Sequence, residues 1–235
     1  MTVSMPRAIN FALRPAAVSA LAAALWLAHA AEIHPVSGRR IAPVMGFGGA
    51  DWLVRPERVT EENPDKAVSL LGLRPGMVVA DVGAGVGYYT VKLAGKVGAT
   101  GKVYATDIQP EMIRTLRQYV AKKGVTNVEP VLSTATATGL PEGAVDLMIL
   151  VDVYHEFSEP QKMLAALRRA LKPGGRLVLL EFRKEDPNIP IREEHKMSVA
   201  EAKQELEAEG FALEKVLHDL PWQHMLFFIK KDSAI

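Results

Sequence analysis

The sequence predicts an α/β fold: a doubly wound, mostly parallel sheet of seven strands with an antiparallel C-terminal hairpin at its edge. Three observations predict it. From residue 77 onward, five short strand patterns alternate with helical patterns. Those strands are apolar almost throughout instead of alternating with polar residues, as strands buried on both faces are. The last two strands follow one another with no helix between them. A chain of 235 residues with 49% hydrophobic residues is long enough for one well-buried domain and short for two.

The first 30 residues stand apart. Arg7 and Arg14 are the only charged side chains before Glu32, an apolar run extends from Ala16 to Ala28, and Ala28-His29-Ala30 offers small residues for cleavage. This pattern predicts a secretory signal peptide over 1–30 and a periplasmic or secreted location. As a helix the run would span only about 20 Å, against a hydrocarbon core of about 30 Å, so a membrane span is not expected. Without Arg7 and Arg14, 26 basic residues face 27 acidic ones, and no basic footprint for nucleic acid remains. A small-molecule partner is expected; oligomeric state is not encoded in any pattern here.

Residues 31–62 read as an irregular lead or lid, with Gly46, Gly48, Gly49 and Trp52, and the main domain as 63–235. Asn63-Pro64 supplies a cap and a first-turn proline for a helix stopped by Gly72. The first strand is Met77 to Val82, followed by a helix from about Val86 to Val97 and a strand from Val103 to Thr106. A helix from Pro110 to about Lys123 puts Met112, Ile113, Leu116 and Val120 on one side. Pro130 makes the third strand, Val128 to Leu132, short or peripheral. The fourth runs Val145 to Val151. Ser158 and Gln161 form a capping box for the next helix, and Pro173-Gly174-Gly175 turns into the strand Arg176 to Glu181. Ser198 and Glu201 cap the last helix, which ends at Gly210 before strands near Phe211 to Leu217 and Met225 to Ile229.

In such a sheet, ligands bind beyond the carboxyl ends of the strands, beside the first one. There stands Asp81-Val82-Gly83-Ala84-Gly85-Val86-Gly87. Glycines allow a sharp strand-to-helix turn and a close approach of backbone to ligand. A dinucleotide fingerprint, G-x-G-x-x-G, would need a third glycine where Tyr88 or Thr90 stands, so an NAD-dependent oxidoreductase is the weaker reading. Asp107, at the end of the second strand, supplies a carboxylate for ribose hydroxyls, a feature both nucleotide readings share.

The run D-x-G-x-G-x-G resembles motif I of the class I, Rossmann-like S-adenosylmethionine-dependent methyltransferases of small molecules. The resemblance extends to Thr136-Ala137-Thr138-Gly139-Leu140-Pro141, which looks like the family's adenine-flanking segment with Thr136 in the place of an aspartate. It also extends to Asp152-Val153-Tyr154-His155-Glu156-Phe157 after the fourth strand and to Leu171-Lys172-Pro173-Gly174-Gly175. It implies S-adenosylmethionine as cofactor, bound by Asp81, Gly83, Gly85, Gly87, Asp107, Ile108, Thr136 and Asp152. It also implies methyl transfer to a small oxygen, nitrogen or carbon nucleophile.

No N-P-P-Y-like tetrapeptide of DNA base enzymes and no cysteine for arsenic chemistry is present. In catechol-type members, acidic or amide residues after the fourth and fifth strands hold magnesium. Here Arg183 follows Glu181, so a metal-free reaction with no metal ligands is expected. A sulfonium already carries an activated methyl group, so alignment supplies most of the rate. Where the acceptor must lose a proton, His155 is the first candidate base, with Glu156 and Tyr154 to orient it or bind the acceptor. The charged stretch Arg192 to Lys196 reads either as solvated surface or as a lid offering His195 or Glu194 to the acceptor. Trp222-Gln223-His224 reads as core or edge packing. Because S-adenosylmethionine is made inside cells, an exported chain also admits a non-catalytic nucleoside- or small-ligand-binding module on the same fold.

Overall fold

The computed structural model describes residues 32–231; the expected signal peptide lies outside the described residues. All seven expected strands form: β1 (Val78–Val82), β2 (Lys102–Asp107), β3 (Val128–Leu132), β4 (Val145–Val151), β5 (Leu171–Arg183), β7 (Phe211–Leu217) and β8 (Gln223–Lys230). An unforeseen two-residue strand, β6 (Lys196–Met197), pairs parallel with the end of β5. The order is β3-β2-β1-β4-β5-β8-β7, parallel through β5 and antiparallel from β5 to β8 and β7. Chain order reverses beside β1, and Pro130 sits in the edge strand β3, where a missing N–H costs least.

Among the described residues the α-helices are α1 (Arg58–Glu61), α2 (Pro64–Leu70), α3 (Tyr88–Val97), α4 (Pro110–Lys122), α5 (Pro160–Ala170) and α6 (Val199–Ala208). One face packs Leu164 and Leu167 of α5 and Leu206 of α6 against Met148 and Leu179. The other packs Val68 of α2 and Leu93 and Val97 of α3 against Val79, Ile149 and Val178. Each fully buried leucine contributes about 1.5–3 kcal/mol relative to exposure. This two-sided burial explains why the central strands are apolar throughout.

Local signals are read with mixed success. Asn63 caps α2 by accepting from the Lys66 N–H, and Ser198 and Glu201 form a reciprocal capping box on α6. The box expected from Ser158 and Gln161 is absent: Pro160 takes the first helical position, which moves the cap to Glu159, and Gln161 instead donates to Glu209. The Lys172–Gly175 turn lies within β5, where the pairing with β4 shifts register between Val145 and Leu147.

The lead before Asn63 is pinned. A bridge joins Ile33 to Arg40, and the Arg39 guanidinium donates to the fully buried Glu205 of α6 at 2.8 and 3.1 Å. It also donates to the carbonyl of His155 at 3.1 Å, and the Ala42 N–H donates to the same carbonyl. Removing one partner of such a buried pair costs about 3–5 kcal/mol. A 3-10 turn at Phe47–Val54 and helix α1 follow, so the segment reaches the carboxyl ends of the strands as a fixed cover. Among the described residues, no helix is long and apolar enough to cross a membrane.

Candidate cofactor and acceptor site

A cavity of about 500 Å³ opens at the carboxyl ends of β1, β2 and β4, within the size range of small-ligand sites. Its walls divide by chemistry. Gly83, Gly85, Asp107, Ile108 and Ser133 to Ala135 line one side. Arg58, Glu62, Asp152, His155, Glu156 and His195 line the other.

The glycine turn is shaped by its neighbours. Gly83 and Gly85 adopt φ of 71° and 53°, in the left-handed region, and a Cβ on Gly83 would lie 2.5 Å from a methyl of Val153. Gly87, also left-handed, caps α3 behind the cavity wall instead of lining it. Asp81 is likewise behind the wall: it is buried and accepts from the Thr90 hydroxyl at 2.6 Å, bracing the strand against α3. Burial raises its pKa to about 6.

Asp107 lines the cavity, but it does more than await a ribose. One carboxylate oxygen accepts from the Gly85 N–H and the other from the Gln109 N–H, both at 2.9 Å. It therefore holds the glycine turn closed, with the remaining lone pairs free for hydroxyls. Burial raises its pKa despite those bonds. Ile108 stands beside it, exposed toward the cavity. Thr136 does not reach the cavity: it is exposed beyond a turn in which Thr134 accepts from the Thr136 and Ala137 N–H groups. Ser133 to Ala135 take the expected place, because the Ser133 N–H continues the β2 ladder by donating to the Asp107 carbonyl.

Asp152 adopts φ of 53°, strained for a residue with a side chain. Its carboxylate accepts at 2.9 and 2.7 Å from Nε2 of Gln223, a buried residue that sequence reasoning had assigned to packing. Burial, with the Glu62 and Glu181 carboxylates nearby, pushes its pKa well above the ordinary range. Glu62 pairs with the buried Arg58 at 2.6 Å and with Arg55 at 2.8 Å, so its carboxylate lies under the cavity between two guanidinium groups.

His155 is buried, and its Nδ1 lies 2.6 Å from Oε2 of the fully buried Glu181. A carboxylate accepts only, so Nδ1 carries the proton and Nε2 presents a lone pair. That Nε2 is 3.1 Å from Nδ1 of His195, whose pKa is lowered by burial and by His155. Glu156 accepts from the Met45 N–H of the lead at 3.2 Å, and burial pushes its pKa up to about 7. Side-chain nitrogens of His155 and His195 and a carboxylate oxygen of Glu156 all lie within 4.8 Å of one another.

Two expected acceptor contacts are not made. Tyr154 points away into the core, its ring against Phe157 and its hydroxyl toward His34, and so neither orients His155 nor reaches an acceptor. Glu194 stands off the cavity in the 3-10 turn Glu193–His195, whose geometry turns only His195 inward. Arg183 is also not beside the cavity carboxylates. Its guanidinium donates to the carbonyls of Leu220, Pro221 and Gln223, so it offers no argument against a cation there. Glu181 and Gln223 carried no local signal, since each is recognisable only by its partner 26 or 71 residues away.

The sequence and the fold resemble those of known proteins. Residues 73–225 match the family model described as a methyltransferase domain. A crystal structure of a SAM-dependent methyltransferase from Aquifex aeolicus superimposes with a TM-score of 0.75 and 32% identity, covering 80% of this chain and 100% of that one. The chain belongs to the S-adenosylmethionine-dependent methyltransferases. Among curated methyltransferases, the ubiquinone/menaquinone biosynthesis C-methyltransferase UbiE of Hydrogenovibrio crunogenus is 37% identical over 119 residues, 50% of this chain and 47% of that protein. The enzyme of the same name from Escherichia fergusonii is 39% identical over 114 residues, 48% of this chain and 45% of that protein. The chain thus spans about half the length of the curated relatives it matches. The cofactor of this family is S-adenosylmethionine.

Proposed function

We propose that the chain transfers a methyl group from S-adenosylmethionine to a small-molecule acceptor seated between the glycine wall and the His155–Glu181–His195 line. The observation that carries this reading is the division of one cavity into two chemically distinct walls at the switch point of the sheet. Gly83 and Gly85 give backbone approach to the nucleoside, Asp107 takes the ribose hydroxyls, and Ser133 to Ala135 flank the base. The ammonium and sulfonium groups lie over the carboxyl oxygens of Asp152 and Glu62, and Arg58 on the same wall is the cation nearest the cofactor's carboxylate. The acceptor's lone pair attacks the methyl carbon, the carbon–sulfur bond breaks, and its electrons remain on sulfur as a neutral thioether. Alignment supplies up to about 7–11 kcal/mol of the barrier reduction in favourable cases. A proton on the acceptor leaves along the His195–His155–Glu181 line, with Glu181 stabilising the imidazolium as it forms.

The names of the UbiE relatives support a hydroxylated aromatic as acceptor, and the mostly apolar rim of Val44, Trp52, Phe157 and Ile191 suits one. The N-terminal pattern supports export with cleavage after Ala30. Labelled S-adenosylmethionine incubated with a panel of phenols, amines and thiols tests the reaction. Transfer to a phenol or quinol supports the reading, whereas cofactor binding with no transfer to any class favours a binding module. Cell fractionation with N-terminal sequencing tests export: a chain starting at or near Ala31 outside the cytoplasm is expected, and a full-length cytoplasmic chain overturns it.

A further inference from the structure

The acceptor wall holds more ligating chemistry than proton transfer needs. His155 presents its Nε2 lone pair with Nδ1 fixed by Glu181, His195 presents Nδ1 at 3.1 Å, and the Glu156 carboxylate completes a set spanning 4.8 Å. We propose that His155 Nε2, His195 Nδ1 and the Glu156 carboxylate bind one divalent transition-metal ion of the zinc class, with Glu181 as the carboxylate that orients His155.

Four features support the assignment. Zinc holds nitrogen and oxygen ligands at about 2.0–2.2 Å, which places ligands of one ion roughly 3–4 Å apart. The two imidazole nitrogens already satisfy that separation, and a Glu156 carboxylate oxygen lies within 4.8 Å of histidine nitrogens of both. Two imidazoles and one carboxylate form a set that suits zinc or iron, not magnesium. A ligating histidine almost always donates its other N–H to a carboxylate or carbonyl, which is the His155–Glu181 contact seen here. Finally, the carboxyl groups of Glu156, Asp152 and Glu62 line this end of the cavity with Glu181 behind His155, against Arg58 and Arg192 as lining cations, so oxygen donors surround the two imidazoles.

Three protein ligands leave a coordination position open toward the cavity. Resting on the methyl-transfer reading, that position takes the oxygen of a phenol or enol. The ion lowers the pKa of the bound hydroxyl, the proton passes to water, and the resulting oxyanion, or the ring carbon it activates, attacks the methyl carbon. The expectation of a metal-free reaction rests on Arg183 standing beside an acidic or amide ligand set, whereas Arg183 turns to the Leu220 and Gln223 carbonyls and the set here contains two histidines.

The test uses the full, tag-free chain, stripped with a chelator and titrated with Zn²⁺ by calorimetry and with Co²⁺ by visible absorption. One equivalent per chain and Co²⁺ ligand-field bands are expected. Binding is lost in His195→Ala and in His155→Gln, weakened about 10–100-fold in Glu181→Gln, and unchanged in His218→Ala, which removes a histidine between β7 and β8 that does not line the cavity. Binding of the demethylated cofactor at parent affinity in His195→Ala shows that the variant is folded. No ion uptake by the parent, or uptake that survives His195→Ala and His155→Gln, overturns the proposal and returns the two histidines to proton transfer. Failure to bind the cofactor with the ion site intact would instead overturn the methyl-transfer reading alone.

Discussion

Replacing Asp107 with alanine should damage the fold as well as cofactor binding, because its carboxylate is already engaged before any ligand arrives. The Gly85 and Gln109 N–H groups each donate to it at 2.9 Å, and the residue is 7% exposed. Hydrogen bonds to a charged acceptor are worth about 1.5–3 kcal/mol each, and a donor left without a partner costs a similar amount. The cavity admits water to the vacated space, which places the combined loss at the lower end, about 2–4 kcal/mol. For a chain of this size each kcal/mol shifts Tm by about 2–4 °C, so a fall of roughly 5–15 °C is expected in thermal unfolding without ligand. Asp107→Asn keeps one acceptor and should lose about half as much. Calorimetry with the demethylated cofactor should show a further loss from the missing ribose contact. A ligand-free Tm for Asp107→Ala equal to the parent's would refute the bracing role.

The remaining predictions concern the acceptor wall, the lead and pH. His155→Ala should leave cofactor affinity nearly unchanged while lowering methyl transfer by about 10²–10⁴-fold; equal activity in parent and variant would remove His155 from the chemistry. Glu205→Ala should cost about 3–5 kcal/mol and expose residues 32–42 to hydrogen exchange, since it leaves the buried Arg39 unpaired; unchanged protection there would contradict the pinning. Asp81 keeps its proton in the folded state to about pH 6 against an ordinary 3.8, so the unfolded chain binds fewer protons in that window and stability falls as pH rises through it. Denaturant titrations of Asp81→Asn at pH 4 and 6.5 should lack that fall, and an identical slope in parent and variant would count against it. His224, its pKa lowered to about 4 by burial, acts oppositely: the unfolded chain binds more protons between pH 4 and 6.5, so stability rises with pH there, a rise His224→Phe should abolish.

What could be read in the sequence was what obeys short periods. Two-sided apolar strands, helix stops at glycine and the turn after β1 follow from steric and burial rules that act within a few residues and point to Gly83, Gly85 and Asp107, while the family resemblance points to Asp152 and His155; all five line one cavity. What escaped depends on pairing across the fold. Glu181 reads locally as the end of a strand and Gln223 as a packing residue, yet they hold His155 and Asp152. The cavity wall is formed one to three residues before Thr136 because β3 ends in an irregular turn. Tyr154 lay adjacent to His155 in sequence, but the 3-10 turn at Tyr154–Glu156 sends the two side chains in different directions. Arg39 carries no visible local signal, since its role is set by Glu205, 166 residues away.

The cofactor assignment is tested most directly by calorimetry of the purified chain with S-adenosylmethionine, its demethylated product and NAD. One equivalent of either sulfur nucleoside should bind, with affinity reduced in Asp107→Ala, and NAD should show no comparable heat. Tight NAD binding with none of S-adenosylmethionine would contradict the account.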